Sequence, residues 1–379
     1  MEKIQLVDLK NQYLKIKDEV DKAVIDVLNS TAFIKGPDVH SFQKELEEYL
    51  GVKHVIPCAN GTDALQIALM SIGLKPGDEV ITPSFTYVAT CEVVALLHGK
   101  PKFVEVDSST FNMDVSELEQ AITEKTKAII PVHLYGQCSN MEAIMEVANR
   151  HNLPVIEDTA QAIGGTFTFK DGSKRKAGTM GLIGCTSFFP SKNLGGYGDG
   201  GAIFTNDDET AEKLAMIANH GQSKRYYHDI VGVNSRLDTI QAAILRIKLR
   251  HLDSYIAARQ DAAAFYTAKF SPYEELTTPH IAEFSDHVFH QYTLKLNGVN
   301  REALQKHLAD QGIPSNIYYP LNNHMQKAFS DVGYVKGDLP ITEALGEEVL
   351  SLPMHTELTQ EQLEHITSEV ITFIENSRN

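Results

Sequence analysis

Val155-Ile156-Glu157-Asp158-Thr159-Ala160-Gln161 is the stretch whose reading settles the fold class. A short apolar run ends in two carboxylates and passes into residues that favour a helix start, as a buried strand does when it feeds a crossover helix. Upstream, Glu79-Val80-Ile81-Thr82, Phe103-Val104-Glu105-Val106 and Ala128-Ile129-Ile130-Pro131-Val132 repeat the arrangement, each followed by a turn and a helical pattern. Strands that alternate with amphipathic helices predict a largely parallel α/β sheet. Ligands of such sheets collect outside the carboxyl ends of the strands, which is where Asp158 and Gln161 fall.

Before this region the spacing predicts an opening helix through Leu28, a second helix over His40 to Leu50, and a short buried strand, His54-Val55-Ile56-Pro57-Cys58. After it, the strands Gly184 to Phe189 and Gly201 to Phe204 flank a glycine-rich loop, and a helix runs from Glu209 to Asn219. Apolar residues then recur at helical spacing from about Leu237 to Phe270, which predicts one long helix linking two domains. A strand over Gln291 to Leu296 and helices over Arg301 to Asp310 and Gln360 to Glu375 suit a small α+β domain. The expected division is a large domain over 1–250 and a smaller one over 251–379.

Composition excludes several function classes. With 34 basic and 50 acidic side chains in 379 residues the formal charge is −16, so the overall field repels nucleic acid and anionic lipid. A phosphorylated ligand would have to be met by a few placed Arg, Lys and helix amides. The start Met1-Glu2-Lys3-Ile4-Gln5 lacks the basic and apolar run of a secretory signal, and no apolar stretch approaches a membrane span, so a cytoplasmic location is expected. Cys58, Cys91, Cys138 and Cys185 sit singly in apolar segments, which suits buried reduced thiols and predicts neither disulfides nor a metal site.

Three motifs carry chemistry. Asn60-Gly61-Thr62-Asp63-Ala64-Leu65 places a strand end, a glycine and a helix start in succession, so free amides can hold a phosphate; equally, Asn60 reads as an ordinary N-cap. Asp158 reads either as the partner of a cationic ligand group or as a helix cap. Ser187-Phe188-Phe189-Pro190-Ser191-Lys192-Asn193-Leu194-Gly195-Gly196 delivers a lysine from an apolar strand into a glycine-rich loop. A lysine confined there is desolvated, loses its proton readily and can attack a carbonyl to form a Schiff base.

Taken together, and with Pro83-Ser84-Phe85-Thr86-Tyr87-Val88-Ala89-Thr90, Gly198-Asp199-Gly200-Gly201 and Gly232-Val233-Asn234-Ser235-Arg236-Leu237, these motifs resemble the sugar-nucleotide aminotransferases of the DegT/StrS type, within the fold type I pyridoxal-phosphate enzymes. The resemblance spans essentially the whole chain. It implies a large domain with a mostly parallel, mixed seven-stranded sheet and a smaller C-terminal α+β domain. Pyridoxal 5'-phosphate is the implied cofactor, with Lys192 as its Schiff-base residue and proton carrier and Asp158 as the partner of its ring nitrogen. Gln161 would bond the ring hydroxyl, Tyr87 would stack on the ring, and Gly61, Thr62 and Ser187 would bind the phosphate.

By the same resemblance, Asn234 reaches the phosphate of the neighbouring subunit, making a homodimer the catalytic unit. Arg225, Tyr226, Arg236, Tyr319 and His324 lie in segments that approach the nucleotide sugar. In the loop Tyr319-Pro320-Leu321-Asn322-Asn323-His324, two Asn stand where relatives often have Pro and Leu. The nearest likeness is to enzymes that convert a UDP-linked 3-keto-hexosaminuronate to its 3-amino form with glutamate, for lipopolysaccharide O-antigen synthesis. Rival readings are a dehydratase on the same scaffold, whose best-known example replaces the lysine with histidine, and a regulatory cofactor-binding protein, which would show damage at Lys192 or Asp158. A dinucleotide oxidoreductase would want Gly-x-Gly-x-x-Gly after its first strand, and Asn60-Gly61-Thr62 offers no such run.

Overall fold

The computed structural model describes residues 3–378, so Met1 and Glu2 of the chain start lie outside it. Its centre is two ladders of strands. One runs in the order His54–Cys58, Gly201–Thr205, Ile183–Ser187 and Ile156–Asp158, antiparallel at its first two junctions and parallel at the last. The other is parallel throughout, with Glu79–Pro83 between Lys100–Val104 and Thr126–Ile129. Where the resemblance implies one sheet of seven strands, the ladders form groups of four and three that meet through isolated parallel bridges, Ile129 to Val155 and Val132 to Asp158. Pro131, which has no N–H to donate, follows the end of the regular strand there.

Helices cover both faces, which is why these strands read as continuous apolar runs. Val80, Ala128, Ile156 and Ile203 pack with Leu65 and Leu69 of the helix Gly61–Ser71 on one side. Ile81, Ile129 and Val155 pack with Met141 and Ile144 of the helix Met141–Arg150 on the other. The alternation of Val80 with Ile81 between two cores is the two-residue period of a strand buried on both faces.

Several boundaries differ from the sequence reading. The opening helix is two, Leu9–Lys15 and Lys17–Ser30, split at Ile16. The single long helix expected over Leu237 to Phe270 is also two, Thr239–Leu249 and Leu252–Phe270. The first packs Ala242 and Leu245 beneath the large sheet, as the start of the second does with Leu252 and Ile256, while the later turns of the second deliver Tyr266 and Phe270 to a separate core. Apolar periodicity runs through the break because both segments bury a stripe; the change of packing partner is a tertiary fact.

That separate core is built on an antiparallel sheet of Leu276–Thr277, Tyr292–Leu296 and Val349–Leu352. Arg301–Asp310 and Gln360–Ser377 cover it through Leu304, Leu308, Ile366 and Val370. All four cysteines are buried and free. No helix of the described residues is long and apolar enough to cross a membrane, and no metal-ligating cluster occurs among them.

Candidate active site

A cavity of about 700 Å³ opens at the carboxyl ends of Ile156–Asp158 and Ile183–Ser187, and all three sequence motifs reach it. Lys192 arrives through a loop whose path is closely specified. Phe188 is fully buried edge-on against Phe42, and its amide and carbonyl bond to Gly200 and Gly196 across the loop. At Gly195 a side chain would meet the Pro190 carbonyl oxygen at 2.3 Å, so only glycine lets the loop fold back. Asn193 Nδ2 donates to the Val288 carbonyl at 2.9 Å and pins the segment carrying the lysine. Burial pushes the Lys192 ammonium down to about 8, against the opposing pull of the Asp158 charge.

Asp158 is buried at its strand end, with Oδ2 accepting from Thr90 Oγ1 at 2.8 Å and Oδ1 from the Ala160 amide at 3.1 Å. Its neighbour Glu157 is also buried. There it accepts from the amides of Gly178, Met180 and Gly181 and contacts His133 Nε2 at 2.9 Å, so the strand end is held by a carboxylate that serves only structure. Gln161 accepts from the Tyr135 amide at 2.7 Å and donates from Nε2 to Tyr319 Oη at 3.0 Å. The rings of Tyr87 and Tyr319 stand 6.3 Å apart on the cavity wall, with Tyr87 the more open.

At the helix start, Asn60 caps Asp63, its side chain accepting from the Asp63 amide at 2.8 Å. The capping and ligand readings therefore coexist, since the cap takes only the Asp63 amide and both Gly61 and Thr62 line the cavity. A Cβ at Gly61 would lie 2.7 Å from that of Ser187, so glycine brings the helix end against Ser187.

Other sequence candidates lie elsewhere. His324 is not on the cavity wall but buried, its Nδ1 2.7 Å from Ser84 Oγ and its Nε2 3.2 Å from Glu343 Oε1. The preceding asparagines have backbone work: Asn322 Nδ2 donates to Thr342 O at 2.8 Å and Asn323 Nδ2 to Thr86 O at 2.9 Å. Asn234 is exposed, beside Ser235, whose Oγ accepts from the Ala59 amide at 3.0 Å. Arg225 and Tyr226 contact each other on the exposed hairpin Gln222–Lys224 and Tyr227–His228. Arg236 also stays off the cavity wall. Thr90 and His290, by contrast, take part in the site though the sequence reading assigned them no role. Thr90 stood within a quoted motif; His290 carried no local signal beyond its place before a strand.

The DegT/DnrJ/EryC1/StrS aminotransferase family profile matches residues 14–371. The chain belongs to this aminotransferase family. Among its relatives, the UDP-2-acetamido-2-deoxy-3-oxo-D-glucuronate aminotransferase of Pseudomonas aeruginosa is 48% identical over 93% of this chain and 95% of its own. A pleiotropic regulatory protein of Geobacillus stearothermophilus is 46% identical over 98% of each. Among solved structures, NtdA of Bacillus subtilis, described with bound cofactor PMP, superposes with a TM-score of 0.90 at 32% identity, covering 99% of this chain and 86% of that one.

The residues present fit a pyridoxal-phosphate cofactor, the group on which this DegT-type aminotransferase depends. The donor set is an amine with a lowered pKa, a buried carboxylate and helix amides unused by the cap, and the absence of a Cβ at Gly61 brings the Ser187 hydroxyl close to that helix start.

Proposed function

We propose that the protein transfers the amino group of glutamate to a UDP-linked 3-keto-hexosaminuronate, giving the 3-amino sugar and 2-oxoglutarate, as a step towards a bacterial surface polysaccharide in the cytoplasm. The observation that carries the reading is the meeting of Lys192, Asp158 and the Gly61–Thr62 helix end in one cavity. The nucleotide sugar and keto position are supported by the likeness to the Pseudomonas aeruginosa enzyme. A regulatory role without catalysis has no need of a lysine so desolvated or a carboxylate so held.

We assign cofactor binding and catalysis to residues 1–250 and the wall that closes over the substrate to residues 251–379. When bound, pyridoxal phosphate supplies an aldehyde that captures amines and a ring that delocalises the electron pair left by breaking a C–H bond. Lys192 holds the cofactor between turnovers and, as a free amine, takes and returns the proton at the substrate carbon. Asp158 sets a fixed negative charge where a protonated ring nitrogen would lie, and its bonds to Thr90 and Ala160 keep that charge in place. Tyr87 covers the ring, Gln161 faces its hydroxyl, and Gly61, Thr62 and Ser187 take the phosphate. A second copy of the chain brings Asn234 to that phosphate, and Arg225, Tyr226, Arg236 and Tyr319 meet the nucleotide sugar.

The test is incubation of purified protein with L-glutamate and a panel of UDP-, GDP- and dTDP-linked keto-sugars, followed by mass spectrometry. Amination of the UDP-linked 3-keto-hexosaminuronate in preference to the others is expected. Turnover of a 4-keto sugar in its place would overturn the substrate.

A further inference from the structure

One buried polar group on the cavity wall has no partner. His290 is 5% exposed, lines the cavity with Lys192, and its ring makes no hydrogen bond among the described residues; Nδ1 is enclosed and unpaired. With Nδ1 sealed off, the ring nitrogen able to meet a ligand is Nε2, which is not enclosed and makes no hydrogen bond among the described residues although the side chain is buried beside the cavity. Its backbone is rigidly set. Arg259, itself buried, donates from Nη1 to the carbonyls of Phe289 at 3.1 Å and Met354 at 3.0 Å, and Asn193 bonds Val288.

Its neighbours on the wall share the property of spare donors. Gln291 is buried with no side-chain hydrogen bond among the described residues. Asn316 uses Oδ1 to accept from the Ile317 amide at 3.0 Å, which leaves its Nδ2 hydrogens for the cavity.

Asp158 and Asp199 also line the cavity, but the charges that act on His290 are the positive ones of Lys192 and Arg259. Burial and the nearby charges of Lys192 and Arg259 hold the His290 imidazole neutral, well below its usual range. Arg259 has no carboxylate partner among the described residues, so its field is not cancelled locally. Among the described residues no arginine lines the cavity, and Lys192, the one cationic side chain there, is reserved for chemistry. An anionic ligand group beside His290 would thus meet neutral N–H donors with Lys192 and Arg259 as the nearby charges, an arrangement that binds a carboxylate without burying a second cation.

We propose that His290, with Gln291 and Asn316, seats the α-carboxylate of the amino donor. The inference rests on the aminotransferase reading above. An amino-acid donor must bring its α-carbon to Lys192, and the carboxylate is one bond from that carbon, so it must fall on the wall beside the lysine. The other carboxylate source, a hexuronate acceptor, carries its acid group several bonds from a 3-keto carbon.

The experiment uses holoenzyme with His290→Phe, which keeps a flat ring and loses the donor, His290→Asn, which keeps a neutral donor, and Asn316→Ala as a second variant away from the buried segment. Visible absorbance follows the donor half-reaction with L-glutamate, and the same signal reports titration with maleate, a dicarboxylate that cannot react. His290→Phe should keep its cofactor and yellow colour while kcat/KM for L-glutamate falls about tenfold or more and maleate binding weakens to match. His290→Asn should recover most of both, and Asn316→Ala should lose about threefold to tenfold. If wild-type protein reacts with L-glutamate and His290→Phe matches it within about twofold in both readouts, the seat is wrong while the aminotransferase reading stands. Loss confined to the keto-sugar half-reaction would assign the wall to the acceptor and overturn the proposal. Wild-type protein that no amino acid bleaches would overturn both.

Discussion

Thr90 Oγ1 donates to Asp158 Oδ2 across 2.8 Å in a region closed to water, so a residue from the helix Ala89–Leu96 sets the orientation of a carboxylate at the end of Ile156–Asp158. A hydrogen bond to a buried charge is worth about 1.5–3 kcal/mol, enough to hold one rotamer. Thr90→Val, nearly equal in volume, should slow the half-reaction with L-glutamate by about tenfold while leaving cofactor occupancy intact, and Thr90→Ser should restore it. Asp158→Asn should be far slower still. Single-turnover absorbance measures all three, and a Thr90→Val rate within about twofold of wild type would remove the orienting role.

The amine of Lys192 should behave as a weak base. Since its pKa lies at about 8, the neutral, nucleophilic form prevails above that pH and vanishes below it. In cofactor-free protein, acylation of Lys192 by a small amine-directed reagent, read by peptide mass spectrometry, should reach half its maximal rate near pH 8. Solvated lysines in the same digest should titrate near the ordinary value of about 10.4. A Lys192 midpoint at the solvated value would show that the loop does not desolvate it. In the loaded protein, borohydride should fix the cofactor to Lys192, and Lys192→Ala should not be fixed.

Sharing of sites between subunits has its own signature. If Asn234 completes the partner's phosphate site, then Asn234→Ala must first show lowered cofactor occupancy alone. Mixed with Lys192→Ala under conditions where chains exchange, each heterodimer has one site with both lesions and one with neither. Activity should then return to about a quarter of wild type, because half the dimers are mixed and each has one intact site. No recovery in chains proven to exchange would place Asn234 in its own subunit's site.

Glu157 offers a stability test that leaves the chemistry alone. Its carboxylate receives amides from Gly178, Met180 and Gly181 together with His133, all in the interior. Glu157→Gln turns one acceptor oxygen into a donor facing other donors, and should lower unfolding free energy by about 3 kcal/mol. Urea denaturation should show an earlier midpoint with an unchanged slope. An unmoved midpoint would mean that the loop 178–181 does not depend on the carboxylate.

Much of this was legible in the sequence because the chain punctuates its own site. Strands that end in Asp158 and Ser187 and a helix that begins at Gly61 announce their ends locally, by a change from apolar residues to Asp, Ser, Asn and Gly. Those ends gather in one cavity as parallel topology requires. What was not legible depends on partners far away in the chain. The break between Thr239–Leu249 and Leu252–Phe270 is invisible to periodicity, since the same apolar stripe continues across two cores. His324 looked like a ligand contact because His near a cavity loop is chemically apt, but Ser84 and Glu343 claim it from other elements. His290 was missed for the converse reason: only the packed structure shows a ring without a partner.

The segment holding Tyr318 and Tyr319 is fastened by its neighbours. Asn322, Asn323 and His324 grip backbone carbonyls and a serine of other elements, and none of the three lines the cavity. Fastening and cavity lining therefore fall to different positions along one short run of chain. Tyr318 can therefore change the shape of the cavity while Lys192 and Asp158 stay where they are, whereas a change at Tyr319 would also release Gln161, whose Nε2 donates to its hydroxyl at 3.0 Å.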